Sequence, residues 1–188
     1  TMPATVTGAR QVLVDDWNND DMMDVFVALD TPPPLYLQKQ RGGPLAPTNL
    51  PPVQIGGAVL ALGDLNGDSR ADLVAAAPDH IDLLLGGLGK AARLPLDLPG
   101  VNALRLVDYD NDGWLDVVAA GEGLRILRNV GDGQFTDQTA ALGLDRLVRG
   151  RIEALAAADF DQDGDTDLAL SVEGQGLKLL RNDGGNAN

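Results

Sequence analysis

Short apolar runs recur along this chain in pairs, each pair split by a polar stretch of nine residues. Residues 11–14 enter the first polar stretch and 25–29 leave it. The later pairs are 58–62 with 73–77, 103–107 with 117–120, and 154–158 with 168–172. Runs this short between Gly, Pro and Asp read as strands, since ordinary helices are longer. A turn carrying Gly or Pro follows, as in Ala77-Pro78-Asp79 and Gly121-Glu122-Gly123. A third run comes next: Leu35-Tyr36-Leu37-Gln38-Lys39, Ile81-Asp82-Leu83-Leu84-Leu85, Leu124-Arg125-Ile126-Leu127-Arg128 and Leu177-Lys178-Leu179-Leu180-Arg181. Apolar residues hold its first and third places, the period-two mark of a strand with one buried face.

A fourth, outer strand is expected at 93–98 and at 134–138, and a single helical turn at 139–144. In the first repeat the matching stretch, 41–52, is rich in Pro and Gly and reads as irregular or as an edge. Four strands in about 45 residues make one blade of a β-propeller. The expected fold is therefore all-β, a β-propeller of four blades in a single domain, 1–188. The blades span about 8–52, 53–99, 100–149 and 150–188, the last completed by an amino-terminal strand within residues 2–7, where Ala4-Thr5-Val6-Thr7 reads as a strand. The same strand lent to a neighbouring chain would build a polymer instead.

The polar stretches carry the chemistry. They read Asp16-Trp17-Asn18-Asn19-Asp20-Asp21-Met22-Met23-Asp24, Asp64-Leu65-Asn66-Gly67-Asp68-Ser69-Arg70-Ala71-Asp72, Asp108-Tyr109-Asp110-Asn111-Asp112-Gly113-Trp114-Leu115-Asp116 and Asp159-Phe160-Asp161-Gln162-Asp163-Gly164-Asp165-Thr166-Asp167. Their first aspartates lie 48, 44 and 51 residues apart. Acidic or amide side chains at positions one, three, five and nine would repel one another unless a cation sat among them. A hard cation that takes six to eight oxygens, Ca2+, suits the set. The sixth residue must turn sharply, at positive φ, where Gly is at no disadvantage. An EF-hand is excluded, because position twelve is Val27, Ala75, Ala119 or Leu170 inside an apolar strand, where that motif needs a bidentate Glu.

Charge fits this reading. The net charge is −14, and 25 of the 28 acids are Asp; four bound Ca2+ would bring it to −6. Such acidity argues against nucleic acid as a partner. There is no cysteine, hence no disulfide or thiolate metal site, and no apolar stretch long enough to span a membrane.

The phrase Asp-x-Asp/Asn-x-Asp-Gly-x-x-Asp with its following apolar strand resembles the FG-GAP/VCBS repeats of integrin-type propellers. The continuation Leu127-Arg128-Asn129-Val130-Gly131-Asp132-Gly133-Gln134-Phe135 resembles the VCBS form of bacterial secreted proteins, and Arg181-Asn182-Asp183-Gly184-Gly185 repeats its beginning. The resemblance implies up to four Ca2+, one per blade, between the first two strands. Side-chain oxygens would come from Asp16, Asn18, Asp20 and Asp24; Asp64, Asn66, Asp68 and Asp72; Asp108, Asp110, Asp112 and Asp116; and Asp159, Asp161, Asp163 and Asp167. The seventh residue (Met22, Arg70, Trp114, Asp165) would give a backbone carbonyl. Family propellers commonly have seven blades, and here Asp21 and Ser69 replace the Gly of the loop. The third and fourth sites, with one more carboxylate each, are expected to bind more strongly than the first and second, in or somewhat below the range of about 10⁻⁴ to 10⁻³ M.

The function expected is a calcium-stabilised structural or adhesion module, secreted or at the cell surface, meeting other proteins or its own copies. The alternatives are a self-assembling extracellular fibre subunit, and a glycan-binding, lectin-like propeller or a fragment of a larger one. An enzyme is not expected, since a single histidine, His80, read as a solvated loop residue, and no cysteine leave no catalytic set. The second-position aromatics Trp17, Tyr109 and Phe160 read as blade packing. Trp114 follows the turn Gly and could be exposed there for a ligand to touch.

Overall fold

The computed structural model describes residues 8–28, 35–48, 59–86 and 90–184. Its contacts group into two compact units, Thr1–Leu96 and Asp97–Asn188, each built from two antiparallel sheets. In the first unit β1 (Gln11–Asp15), β2 (Asp24–Ala28), β3 (Leu35–Gln38) and β4 (Leu45–Thr48) form one sheet. The other contains β5 (Val59–Gly63), β6 (Asp72–Ala76), β7 (His80–Leu85) and β8 (Lys90–Pro95). The second unit holds β9 (Ala103–Val107), β10 (Asp116–Ala120), β11 (Leu124–Asn129) and β12 (Phe135–Asp137). After α1 (Leu144–Leu147) comes a sheet that is three-stranded among the described residues: β13 (Ile152–Ala158), β14 (Asp167–Val172) and β15 (Gly176–Leu180). Strand order follows chain order in every sheet, the up-and-down meander of a propeller blade. The expected amino-terminal strand, residues 2–7, lies outside the described residues.

The acidic stretches join the first two strands of each sheet, and the ninth-position Asp is the first residue of the second strand. Asp15 faces Asp24, Gly63 faces Asp72, Val107 faces Asp116 and Ala158 faces Asp167. The second strands β6 and β10 are buried at every residue, which their continuous Val, Leu and Ala runs allow. In the first unit Trp17, Phe26, Leu35, Leu60, Leu73 and Leu84 form a core. Trp17 and Phe26 meet edge to face at 4.9 Å and 75°. In the second unit Val118, Ile126, Leu144, Ile152, Leu155 and Leu170 do the same. Each such side chain contributes roughly 1.5–3 kcal/mol by leaving water.

Consecutive sheets within a unit are also tied by amides that the apolar pattern does not reveal. Gln11 Nε2 donates to Leu60 O at 2.7 Å while its Oε1 accepts Leu60 N–H at 2.8 Å. Asn102 Nδ2 donates to Ile152 O at 2.6 Å in the corresponding place of the second unit.

The Pro- and Gly-rich stretch of the first repeat takes the second of the two forms expected for it, an edge strand, β4, in which Pro47 faces Tyr36. Several expectations shift. The outer strand expected at 93–98 runs instead over Lys90–Pro95, because Arg93 pairs with the buried Asp82 opposite it. The third strand of the first repeat is offset by two residues from its expected alignment, since Tyr36 faces Val25 where Leu84 faces Leu73. His80 opens β7 and is mostly buried, its Nδ1 lying 2.7 Å from Asp79 Oδ1 and its Nε2 3.5 Å from Asp82 Oδ2. It is not a solvated loop residue.

Candidate metal centres

All four acidic loops fold by the same local hydrogen bonds. The first Asp caps the turn by accepting the backbone N–H groups of residues five and six. Asp108 Oδ1 takes Asp112 N–H at 3.0 Å and Oδ2 takes Gly113 N–H at 2.9 Å. Asp16, Asp64 and Asp159 do likewise with Asp20 and Asp21, Asp68 and Ser69, and Asp163 and Gly164. The fifth Asp then accepts the N–H of the seventh residue: Met22, Arg70, Trp114 and Asp165, at 2.9–3.0 Å. Short Asp side chains suit this task because they reach backbone groups two to five residues on. Residue six is left-handed in every loop: Asp21 at 63°, Ser69 at 62°, Gly113 at 91° and Gly164 at 98°. Residue four is left-handed as well (Asn19, Gly67, Asn111, Gln162), which the sequence pattern did not reveal. In the second loop the glycine has moved to this other left-handed position.

The ninth Asp does something the motif alone did not reveal. Asp24, Asp72 and Asp116 are fully buried and Asp167 nearly so. Each uses Oδ2 to accept the N–H of loop residue two (Trp17, Leu65, Tyr109, Phe160). Each uses Oδ1 to accept an N–H at the end of the third strand or just beyond it: Gln38 at 2.8 Å, and Gly86, Asn129 and Asn182 at 2.7 Å. One carboxylate thus closes the loop and pins it to the strand on the far side of its own.

Burial raises the pKa of these carboxylates and the two N–H groups oppose that shift. For Asp116 burial prevails, with Asp110 and Asp112 adding to it, and its pKa is pushed up to about 6. Asp24 and Asp72 are raised by burial too. Asp167 is held below the usual range, since the N–H groups of Asn182 and Phe160 outweigh its burial.

The donors fit a hard divalent cation. Carboxylate oxygens of Asp108, Asp110 and Asp116 lie within 4.8 Å of one another, as do those of Asp159, Asp161 and Asp167. Asp110 Oδ1 is buried without a hydrogen-bond partner, although buried carboxylate oxygens ordinarily have one. The first two loops offer Asp16, Asp20 and Asp24, or Asp64, Asp68 and Asp72, with Asn18 or Asn66 in third place; Asn66 Oδ1 accepts Asp68 N–H at 3.0 Å. Every side-chain donor in the four sets is oxygen, the preference of Ca2+.

Two amides connect the third and fourth loops. Asn111 Nδ2 donates to Asp165 Oδ1 at 2.5 Å, and Asn182 Nδ2 donates to Tyr109 O at 2.6 Å. Beside them, between the two sheets of the second unit, lies a cavity of about 510 Å³. Tyr109, Asp110, Asn111 and Arg181 line its polar side, and Ile126 and Leu168 its apolar wall.

Among the aromatics Trp17 is core, as expected. Phe160 is 48% exposed and so does not pack a blade. Trp114 is half-buried, with Gly131 of the following turn against its indole; a methyl group there would lie 3.7 Å from the ring. Part of its ring stays open to solvent, while Tyr109 is the aromatic that faces the cavity.

Known proteins resemble the chain in its fold and in its repeats. No curated protein matches the chain. A solved structure of an Agrocybe aegerita lectin, described for its specific recognition of non-reducing terminal N-acetylglucosamine, matches with a TM-score of 0.61 at 17% identity. The match covers 95% of this chain and 50% of that one, so this chain spans half the length of the lectin. That likeness shows a shared β-propeller type of fold. The family model of the FG-GAP-like repeat matches residues 16–75 and 108–170, which begin at the first Asp of loops one and three and take in all four loops. With more than half of its length matched, the chain belongs to the FG-GAP-like repeat family.

Proposed function

We propose that this chain is a calcium-stabilised, extracellular structural or adhesion module that binds other proteins, and not an enzyme. The observation that carries the reading is the third loop, where Asp116 is buried with a raised pKa beside the unpartnered Asp110 Oδ1. Burying like charges together is costly unless a cation compensates them. Asp108, Asp110, Asp112 and Asp116 would hold the ion there, with the equivalent residues in the other three loops. When bound, a divalent ion supplies charge neutralisation and extra ties between the first two strands, and its binding free energy adds to folding free energy. The loops keep their own hydrogen-bond frame, so the ion reinforces a shape already specified. The apolar side chains of Leu177 and Leu179 on β15, 72% and 62% exposed, offer a protein partner a surface.

Thermal melting in Ca2+ and in EGTA tests the reading directly. A melting temperature higher by several degrees in Ca2+, with heat of binding in calorimetry, is expected; identical curves would refute it. A second reading, glycan binding, draws support from the cavity beside Tyr109 and from the likeness to a lectin. Binding on a glycan panel that is lost in Tyr109→Ala would favour it over a protein partner.

A further inference from the structure

We infer that Arg128 is the built-in counter-ion of the third loop, cancelling the extra carboxylate at its third position and so setting the charge a divalent ion meets there. The inference rests on the calcium reading above and concerns a residue outside the nine-residue motif.

Sheet register aligns the four repeats. The residues facing loop position ten (Val25, Leu73, Val117, Leu168) are Tyr36, Leu84, Leu127 and Leu180. The residue after each is Leu37, Leu85, Arg128 and Arg181. Loop position three in the same order is Asn18, Asn66, Asp110 and Asp161. The two positions change together: leucine accompanies the neutral amide, and arginine accompanies the carboxylate.

The geometry explains the pairing. Arg128 Nε lies 2.5 Å from Asp110 Oδ2, an ion pair without the alignment of a hydrogen bond, while Nη2 donates to Asp112 Oδ2 at 2.9 Å. Arg181 Nη1 donates to Asp161 Oδ2 at 3.4 Å and the guanidinium also pairs with Asp183, a looser version of the same arrangement. Counting loop positions one, three, five and nine with this strand residue, every repeat carries a formal charge of −3. In this count the additional Asp of the third and fourth loops is matched by an arginine that the first two repeats lack. Asp110 serves both purposes at once, Oδ2 toward Arg128 and Oδ1 left without a partner for an ion. Arg128 is a positioning residue, acting on the ion through Asp110 and Asp112.

A double-mutant cycle on the whole chain tests this, with wild type, Arg128→Leu, Asp110→Asn and the double variant. In EGTA, Arg128→Leu should lower the melting temperature, and Asp110→Asn in the same chain should restore most of the loss. In Ca2+, displacement of Tb3+ whose emission is excited through Trp114 (the part lost in Trp114→Phe) reports the third loop. There Arg128→Leu should tighten Ca2+ binding about tenfold, and the double variant should return toward wild type. Should Arg128→Leu fail to fold in EGTA, recovery of folding in the double variant supports the pairing, and Arg128→Gln supplies the affinity. Equal effects of Arg128→Leu in the wild-type and Asp110→Asn backgrounds, or an unchanged affinity in a protein that does bind Ca2+, would overturn the proposal alone. No Ca2+ displacement in wild type would instead sink the calcium reading and the affinity half with it, leaving the EGTA cycle to decide the counter-ion half.

Discussion

Asp116 and Asn129 lie 13 residues apart in sequence, and the backbone N–H of Asn129 donates to Asp116 Oδ1 at 2.7 Å. With Tyr109 N–H on Oδ2 at 3.0 Å, one buried side chain satisfies two backbone donors. An amide in its place keeps a single acceptor oxygen and turns an N–H group toward another N–H. Asp167→Asn, where the two N–H groups outweigh burial, should therefore destabilise the metal-free protein by roughly 1–3 kcal/mol, while in Asp116→Asn the relief of a buried charge offsets much of the same loss. Urea unfolding in EGTA measures this, and a loss below about 0.5 kcal/mol in Asp167→Asn would show that the ninth Asp serves the ion alone.

The same burial fixes the pH dependence. The Asp116 pKa is raised from 3.8 to about 6 on folding. The unfolded chain thus ionises at this residue before the folded one does. Its contribution to stability is full below about pH 4 and is lost as pH rises through about 6. Without metal, lowering pH from 7 to 5 should raise the melting temperature, this residue adding about 1.3 kcal/mol of stability over that interval. Asp24 and Asp72 act in the same direction, and Asp167 opposes them only below about pH 4, because its pKa is depressed. In saturating Ca2+ the trend should reverse, since an ion needs the ionised carboxylate. A scan of melting temperature against pH, with and without EGTA, checks both arms.

These two predictions rest on features of unequal visibility in the sequence. Period-two runs and the four acidic stretches made the strands and loops legible, down to the left-handed sixth residue. The double hydrogen bond of the ninth Asp was not legible, because its strand-side partners, Gln38, Gly86, Asn129 and Asn182, are of three residue types. A backbone N–H is donated whatever side chain it carries. The offset of β3 by two residues was hidden for a related reason: Leu35 and Leu37 are both apolar, so period two alone cannot tell the registers apart. Arg128 is one of 14 basic residues in the sequence, and only the sheet register places it beside Asp110.

Ser69 holds φ at 62° in the second loop, where the third and fourth loops have glycine. Its hydroxyl and Cβ gain nothing there that a strained backbone does not offset. Ser69→Gly should stabilise the protein by about 0.5–1 kcal/mol, and Asp21→Gly by less, because Asp tolerates this region better. Melting in EGTA isolates the backbone effect from any change in ion binding. A destabilised Ser69→Gly would mean that the looser chain costs more in the unfolded state than the strain it relieves.

Asn111 reaches from the third loop to Asp165 of the fourth, and both residues sit within stretches that would hold ions. Filling one loop fixes its backbone, and the amide carries that order to the other. The second ion then meets a loop already partly arranged, so the two binding events should be positively coupled. Asn111 is left-handed at 57°, so the informative substitution is Asn111→Gly, which keeps that conformation and removes only the amide. Because the pair is exposed, the change should cost less than about 1 kcal/mol of stability. The Ca2+ isotherm should flatten toward independent sites, and Asp165→Ala should do the same from the other side. If both variants leave the steepness of the isotherm unchanged while wild type binds cooperatively, the coupling must run through the Asn182 bond to Tyr109 instead.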